Sequence, residues 1–125
     1  MLETLRINFF GTQPVAIVTD KILERIIQRD FGNRADEVKQ KLKEVISDNH
    51  NGKNRISAAI LKLSNKDIKA IDHFISLSNN DCRDVISQAE YPKCSKLNLS
   101  EMEEQNMKPI YFDDWIEYLK WIKQQ

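Results

Sequence analysis

The chain has 125 residues and a mass of 14.7 kDa, and its 19 basic and 19 acidic side chains give a formal net charge of zero. That length, with 41% hydrophobic and 30% charged residues, describes one globular domain spanning 1–125 and excludes a disordered chain. Gly11, Gly32 and Gly52 are the only glycines and lie too far apart to share a phosphate-cradling loop, which argues against the usual nucleotide-binding modes and leaves no cofactor to expect.

Residues 2–10 admit two readings. Leu5, Ile7 and Phe9 alternate as in a strand, whereas Leu2, Leu5 and Phe9 fit one helix face. A short N-terminal strand or arm is therefore an alternative to helix here. No basic region precedes an apolar run, so no export signal is expected.

From Thr12 the pattern becomes helical. Thr12 can cap, Pro14 suits a first turn, and Val15, Val18, Ile22 and Ile26 make a stripe that predicts a helix over about 14–30, stopped near Gly32. Ala35, Val38, Leu42, Val45 and Ile46 predict a second helix over about 34–48. The run DNHNG at 48–52 reads as a turn. A third helix over about 53–63 buries Ile56, Ala59, Ile60 and Leu63, leaving Ser57, Ala58 and Leu61 outward. Ser64 is then a cap for a fourth helix packed through Ile68, Ile71, Phe74 and Ile75. Ser78 or Asn79 opens a fifth, lined by Cys82, Val85, Ile86 and Ala89 and ended at Pro92. Residues 93–99 read as loop, and the capping-box pattern from Ser100 to Glu103 predicts a short helix interrupted at Pro109. Asp113 and Asp114 lead a last helix over about 113–124. The sum is an all-α fold of five to seven helices, as a bundle or a short solenoid-like layer.

Three constellations carry candidate function. Tyr111, Phe112, Trp115, Tyr118 and Trp121 are five of the ten aromatics, gathered in the last 15 residues. At about 100° per residue from Trp115, Tyr118 falls near 300°, Ile122 near 340°, Leu119 near 40°, Ile116 near 100° and Trp121 near 240°. That apolar arc is wider than a surface helix needs. One reading docks the helix in the core with Trp121 covering its edge; the functional one makes Tyr111, Trp115, Tyr118 and Trp121 a protein interface. Secondly, Arg83, Asp84, Ser87, Glu90 and Tyr91 crowd polar chemistry onto one short helix, either as surface pairs or as a patch for an anion or a peptide. Thirdly, charge is uneven: residues 21–70 carry a net +5 and residues 71–125 a net −4. Lys53, Arg55, Lys62, Lys66 and Lys69 form a basic segment that could meet nucleic-acid phosphates, or simply pair across the fold. A pI of 6.7 speaks against nucleic acid.

Catalytic residue types are sparse. His50, His73, Cys82 and Cys94 occur in an order and spacing that match no zinc finger, so no metal is expected. A thiol nucleophile at Cys82 beside His73 conflicts with the place of Cys82 on an apolar stripe. Two cysteines are too few for a disulfide scaffold, and no stretch reaches the ~18 apolar residues that a membrane span needs. A cytoplasmic setting follows, and fifteen isoleucines with ten asparagines suit an AT-rich bacterial genome. The resulting expectation is an interaction or regulatory protein meeting another protein or its own copy, with no membrane contact. A nucleic-acid-contacting protein stands second, and a small enzyme using the Arg83–Tyr91 patch stands third.

Overall fold

A computed structural model describes residues 16–96 and 104–125, with side chains from 108 onward in the second stretch. Among the described residues seven helices follow one another: α1 (Asp20–Phe31), α2 (Ala35–Leu42), α3 (His50–Ser64), α4 (Ile68–Asn80), α5 (Cys82–Glu90), α6 (Pro92–Ser95) and α7 (Glu104–Lys123), with a 3-10 turn at Gly32–Arg34. Among the described residues there is no strand, so the all-α multi-helix fold stands. Residues 1–15 and the pattern from Ser100 to Glu103 lie outside the described residues.

Short polar side chains start the helices. Thr19 accepts from the Ile22 amide at 3.2 Å, Asn49 from Gly52 at 2.6 Å, Asp67 from Lys69 at 3.0 Å and Asp81 from Arg83 at 3.1 Å. Each satisfies one of the amide donors that a helix start leaves open. These caps move several boundaries. The first helix begins at Asp20 instead of about 14, and Ala16 and Val18 reach the core from non-helical backbone. The fourth is capped by Asp67 itself, while Ser64 ends α3 and turns its hydroxyl back to the Ile60 carbonyl at 2.7 Å. Between them Asn65 and Lys66 take left-handed φ values of 49° and 67°.

The DNHNG stretch is a helix start rather than a turn. Asn49 caps α3, and Gly52 sits in its first turn. A Cβ at Gly52 would lie 2.7 Å from Ser47 Oγ, which accounts for a glycine inside a helix. The second helix stops early, at Leu42; Val45 stays buried, but Ile46 is exposed.

α3 is the centre of the molecule, packing against α1, α4 and α5. Residues 56–61 are all buried there, including Ser57, Ala58 and Leu61, which periodicity had turned outward. A helix surrounded on every side loses its one-sided pattern, and its small residues admit close neighbours. The core joins Ile26, Ile27, Val38, Ile60, Ile71, Val85 and Tyr118 from six helices.

Pro109 lies within α7 instead of interrupting it. Asp113 and Asp114 are correspondingly mid-helix, and Asp114 does a different job. Its buried carboxylate accepts from the Lys93 amide at 3.2 Å and the Cys94 amide at 3.0 Å. Pro92 opens α6 without an N–H to place, so Asp114 caps that helix from across the fold. α7 is closed at its other end by α1. Arg25 donates to the Ile122 carbonyl at 2.7 Å, and Arg29 donates to those of Trp121 at 2.7 Å and Gln124 at 3.0 Å. Those carbonyls belong to the final turn, where intrahelical partners run out and cations are favoured.

Candidate protein-interaction surface

The C-terminal helix sorts its aromatics by depth. Tyr111 and Tyr118 are fully buried, which removes them from any contact with a partner. Tyr111 stacks on Tyr91 at 4.9 Å between ring centroids, and the two hydroxyls lie 3.1 Å apart. Tyr118 stacks on Trp121 at 5.7 Å. Trp115 and Trp121 are half-buried against the core, and the Arg29 guanidinium lies 5.1 Å above the Trp121 ring. The proposed set therefore divides: two members are core, and the two tryptophans are the core's edge.

The outward face belongs to other residues. Phe112 is 51% exposed and Ile116 is 50% exposed, one helical turn apart. On the wheel Phe112 falls at about 60°, beside Ile116 at about 100°, so they form the part of the wide apolar arc that overhangs the core. The width of that arc was the sequence signal for them.

The polar patch around α5 also splits. Glu90 and Tyr91 are completely buried and Ser87 nearly so. Glu90 takes both Nε and Nη2 of Arg55 at 2.8 Å, a bidentate pair that joins the expected polar patch to the expected basic segment inside the protein. Arg83 and Asp84 remain on the surface, and Arg83 folds back on Asp81 at 3.1 Å. That contact with the Arg83 guanidinium and amide holds the Asp81 carboxyl below its ordinary range. Asp84 and Ser87 line a shallow depression with Gln88, Ser95 and Lys96.

The basic segment does not form one surface. Arg55 is tied to Glu90. Lys62 donates to the Ala89 carbonyl at 2.5 Å and sits 5.2 Å from the Tyr118 ring centre. Burial pushes the Lys62 ammonium below its usual pKa, opposed by the carboxylates of Asp114, Glu90 and Glu117. Lys53 donates to the Lys43 carbonyl at 3.2 Å, while Lys66 and Lys69 are exposed beyond the end of α3. Lys41 meets Asp72 at 2.7 Å, so part of the basic middle is neutralised by the acidic half.

Between these groups Tyr118 presents the one buried side-chain oxygen without a hydrogen-bond partner among the described residues. Desolvation, with Glu90 nearby, raises its phenol well above the ordinary value of 10.0. Its hydroxyl is therefore neutral and inert as an acid–base group at physiological pH. No group of three or more potential metal ligands gathers among the described residues. His73 stacks edge-on against Phe74 at 5.1 Å and Cys82 is half-buried. No helix among the described residues is long and apolar enough to cross a membrane.

No protein family, curated protein or solved structure matches the chain. Function must therefore be read from these surfaces.

Proposed function

We propose that the chain is a cytoplasmic, bacterial protein-interaction module that presents the outward face of α7 to another protein. The pair Phe112 and Ile116 carries this reading: two large apolar side chains, each about half exposed, stand one turn apart on α7. Helix anchors at i and i+4 are the form in which an apolar groove reads a helix. Half-buried Trp115 lies between them and the core, extending the apolar area. Apolar contact rather than charge drives the association, because Asp113 is paired with Lys93 and Glu117 lies 3.7 Å from Lys120. A role on nucleic acid receives less support, since Arg55 and Lys62 spend their charges within the fold.

The test compares tagged wild-type chain with Phe112→Ser/Ile116→Ser in capture from a cytoplasmic extract, beside light scattering of the pure proteins. Loss of a specific partner by the variant, at unchanged melting temperature, supports the reading. Identical capture by both proteins, or dimerisation that the variant leaves intact, overturns it.

A further inference from the structure

A cleft of about 210 Å³ opens between α1, α2 and α3, with no α7 residue in its lining. Its floor is apolar: Leu23 and Ile27 from α1 and Leu42 from α2. Lys39, Lys43 and Lys53 stand among its walls, and no carboxylate lines it. The lysines differ in what answers them. Lys39 is held by Glu24 at 2.6 Å, and that contact keeps the Glu24 carboxyl below its ordinary range. His50 is likewise taken up by Asp20. Lys43 enters no salt bridge among the described residues, and Lys53 meets only the Lys43 backbone carbonyl. Two ammonium groups without carboxylate partners thus border an apolar hollow.

We propose that this cleft binds a small organic monocarboxylate with an apolar body, its carboxylate between Lys43 and Lys53. A free inorganic anion would answer the ammonium groups but leave the apolar floor uncovered, where Leu23 is partly exposed over buried Ile27 and Leu42. An uncharged apolar molecule would cover the floor but leave the cations unanswered. A molecule with both parts satisfies both. The space is smaller than the ~300–1,000 Å³ of drug-sized sites, which restricts the body to a short acyl chain or one aromatic ring.

The probe is hexanoate, titrated into the isotopically labelled full chain, with the amides of Leu23, Ile27, Leu42 and Ser57 followed by NMR. Saturable shifts confined to the cleft are expected. Lys43→Ala/Lys53→Ala should weaken them about tenfold, the loss of charge-assisted hydrogen bonds. Both side chains lie at the surface or only partly buried, and a thermal melt confirms that the variant folds. Hexylamine and inorganic phosphate, tested on the wild-type chain, should give no saturable shift there. The proposal is overturned by absent or displaced shifts with hexanoate, by an equal response to hexylamine or phosphate, or by undiminished binding to the folded double variant.

Discussion

Tyr118→Phe isolates one oxygen atom. The ring would keep its place in the core and its stack on Trp121, while the buried hydroxyl without a partner would go. Leaving such a group unsatisfied costs about 1–3 kcal/mol. Its removal should therefore stabilise the protein by roughly 1 kcal/mol or more, against the usual direction of core substitutions. At about 2.1 cal/mol/K per residue, unfolding entropy for this length is about 0.26 kcal/mol/K, so each 1 kcal/mol moves the midpoint by about 4 °C. A second signature lies in alkali. The folded phenol has a raised pKa, so it keeps its proton where an unfolded tyrosine, at 10.0, releases one. Its contribution is intact below pH 10 and is lost as pH rises above that value, at about 1.4 kcal/mol per pH unit. Urea titrations of both proteins between pH 8 and about 11 would show the two stabilities diverging in favour of the variant by that slope. A variant less stable by 1 kcal/mol or more, or parallel pH curves, would refute the reasoning: the hydroxyl would then have a partner, or the tyrosinate would be solvated.

Other substitutions test the remaining contacts. Arg55→Met alone strands a fully buried Glu90 and should cost about 3–5 kcal/mol, whereas Arg55→Met/Glu90→Leu should recover much of that in the same urea assay. Asp114→Asn weakens the cap on the Lys93 and Cys94 amides and should cost about 1–2 kcal/mol, read locally as faster hydrogen exchange at Cys94. Trp121→Ala removes a half-buried ring stacked on Tyr118 and covered by Arg29, and should cost about 2–3 kcal/mol by denaturant unfolding. A loss below about 0.5 kcal/mol would return that side chain to the surface.

The sequence shows element type better than element ends or environment. Amphipathic stripes mark α1, α2, α4 and α5 because each has one wet side. α3 misleads because it has none around Ser57, Ala58 and Leu61, and a period cannot report burial on every side. DNHNG looks like a turn by composition, yet Asn49 uses the same polar chemistry to cap a helix. Asp114 is opaque for another reason: the amides it caps lie 20 and 21 residues away, and no local spacing announces them. The candidate surface was half legible. An apolar arc too wide for one buried side indicated an exposed remainder, but only packing identifies Phe112 and Ile116 as that remainder and Tyr111 and Tyr118 as core. The Arg55–Glu90 pair merges two predicted patches into one interior bond, a change of meaning that requires three dimensions.

The arginine closure of α7 has a consequence for how the protein is made. Arg25 and Arg29 find their acceptors 92 to 97 residues downstream. During synthesis, α1 leaves the ribosome long before those acceptors exist, and at about 5–20 residues per second the wait lasts several seconds. Throughout that interval the two guanidinium groups lack their helix-end carbonyls, Arg29 having only the neighbouring Asp30 carboxylate at 2.7 Å, and α1 lacks one of its packing neighbours. Completion is thus a late event that draws together segments far apart in the chain, and loop-closure entropy opposes it until the core has formed around α3.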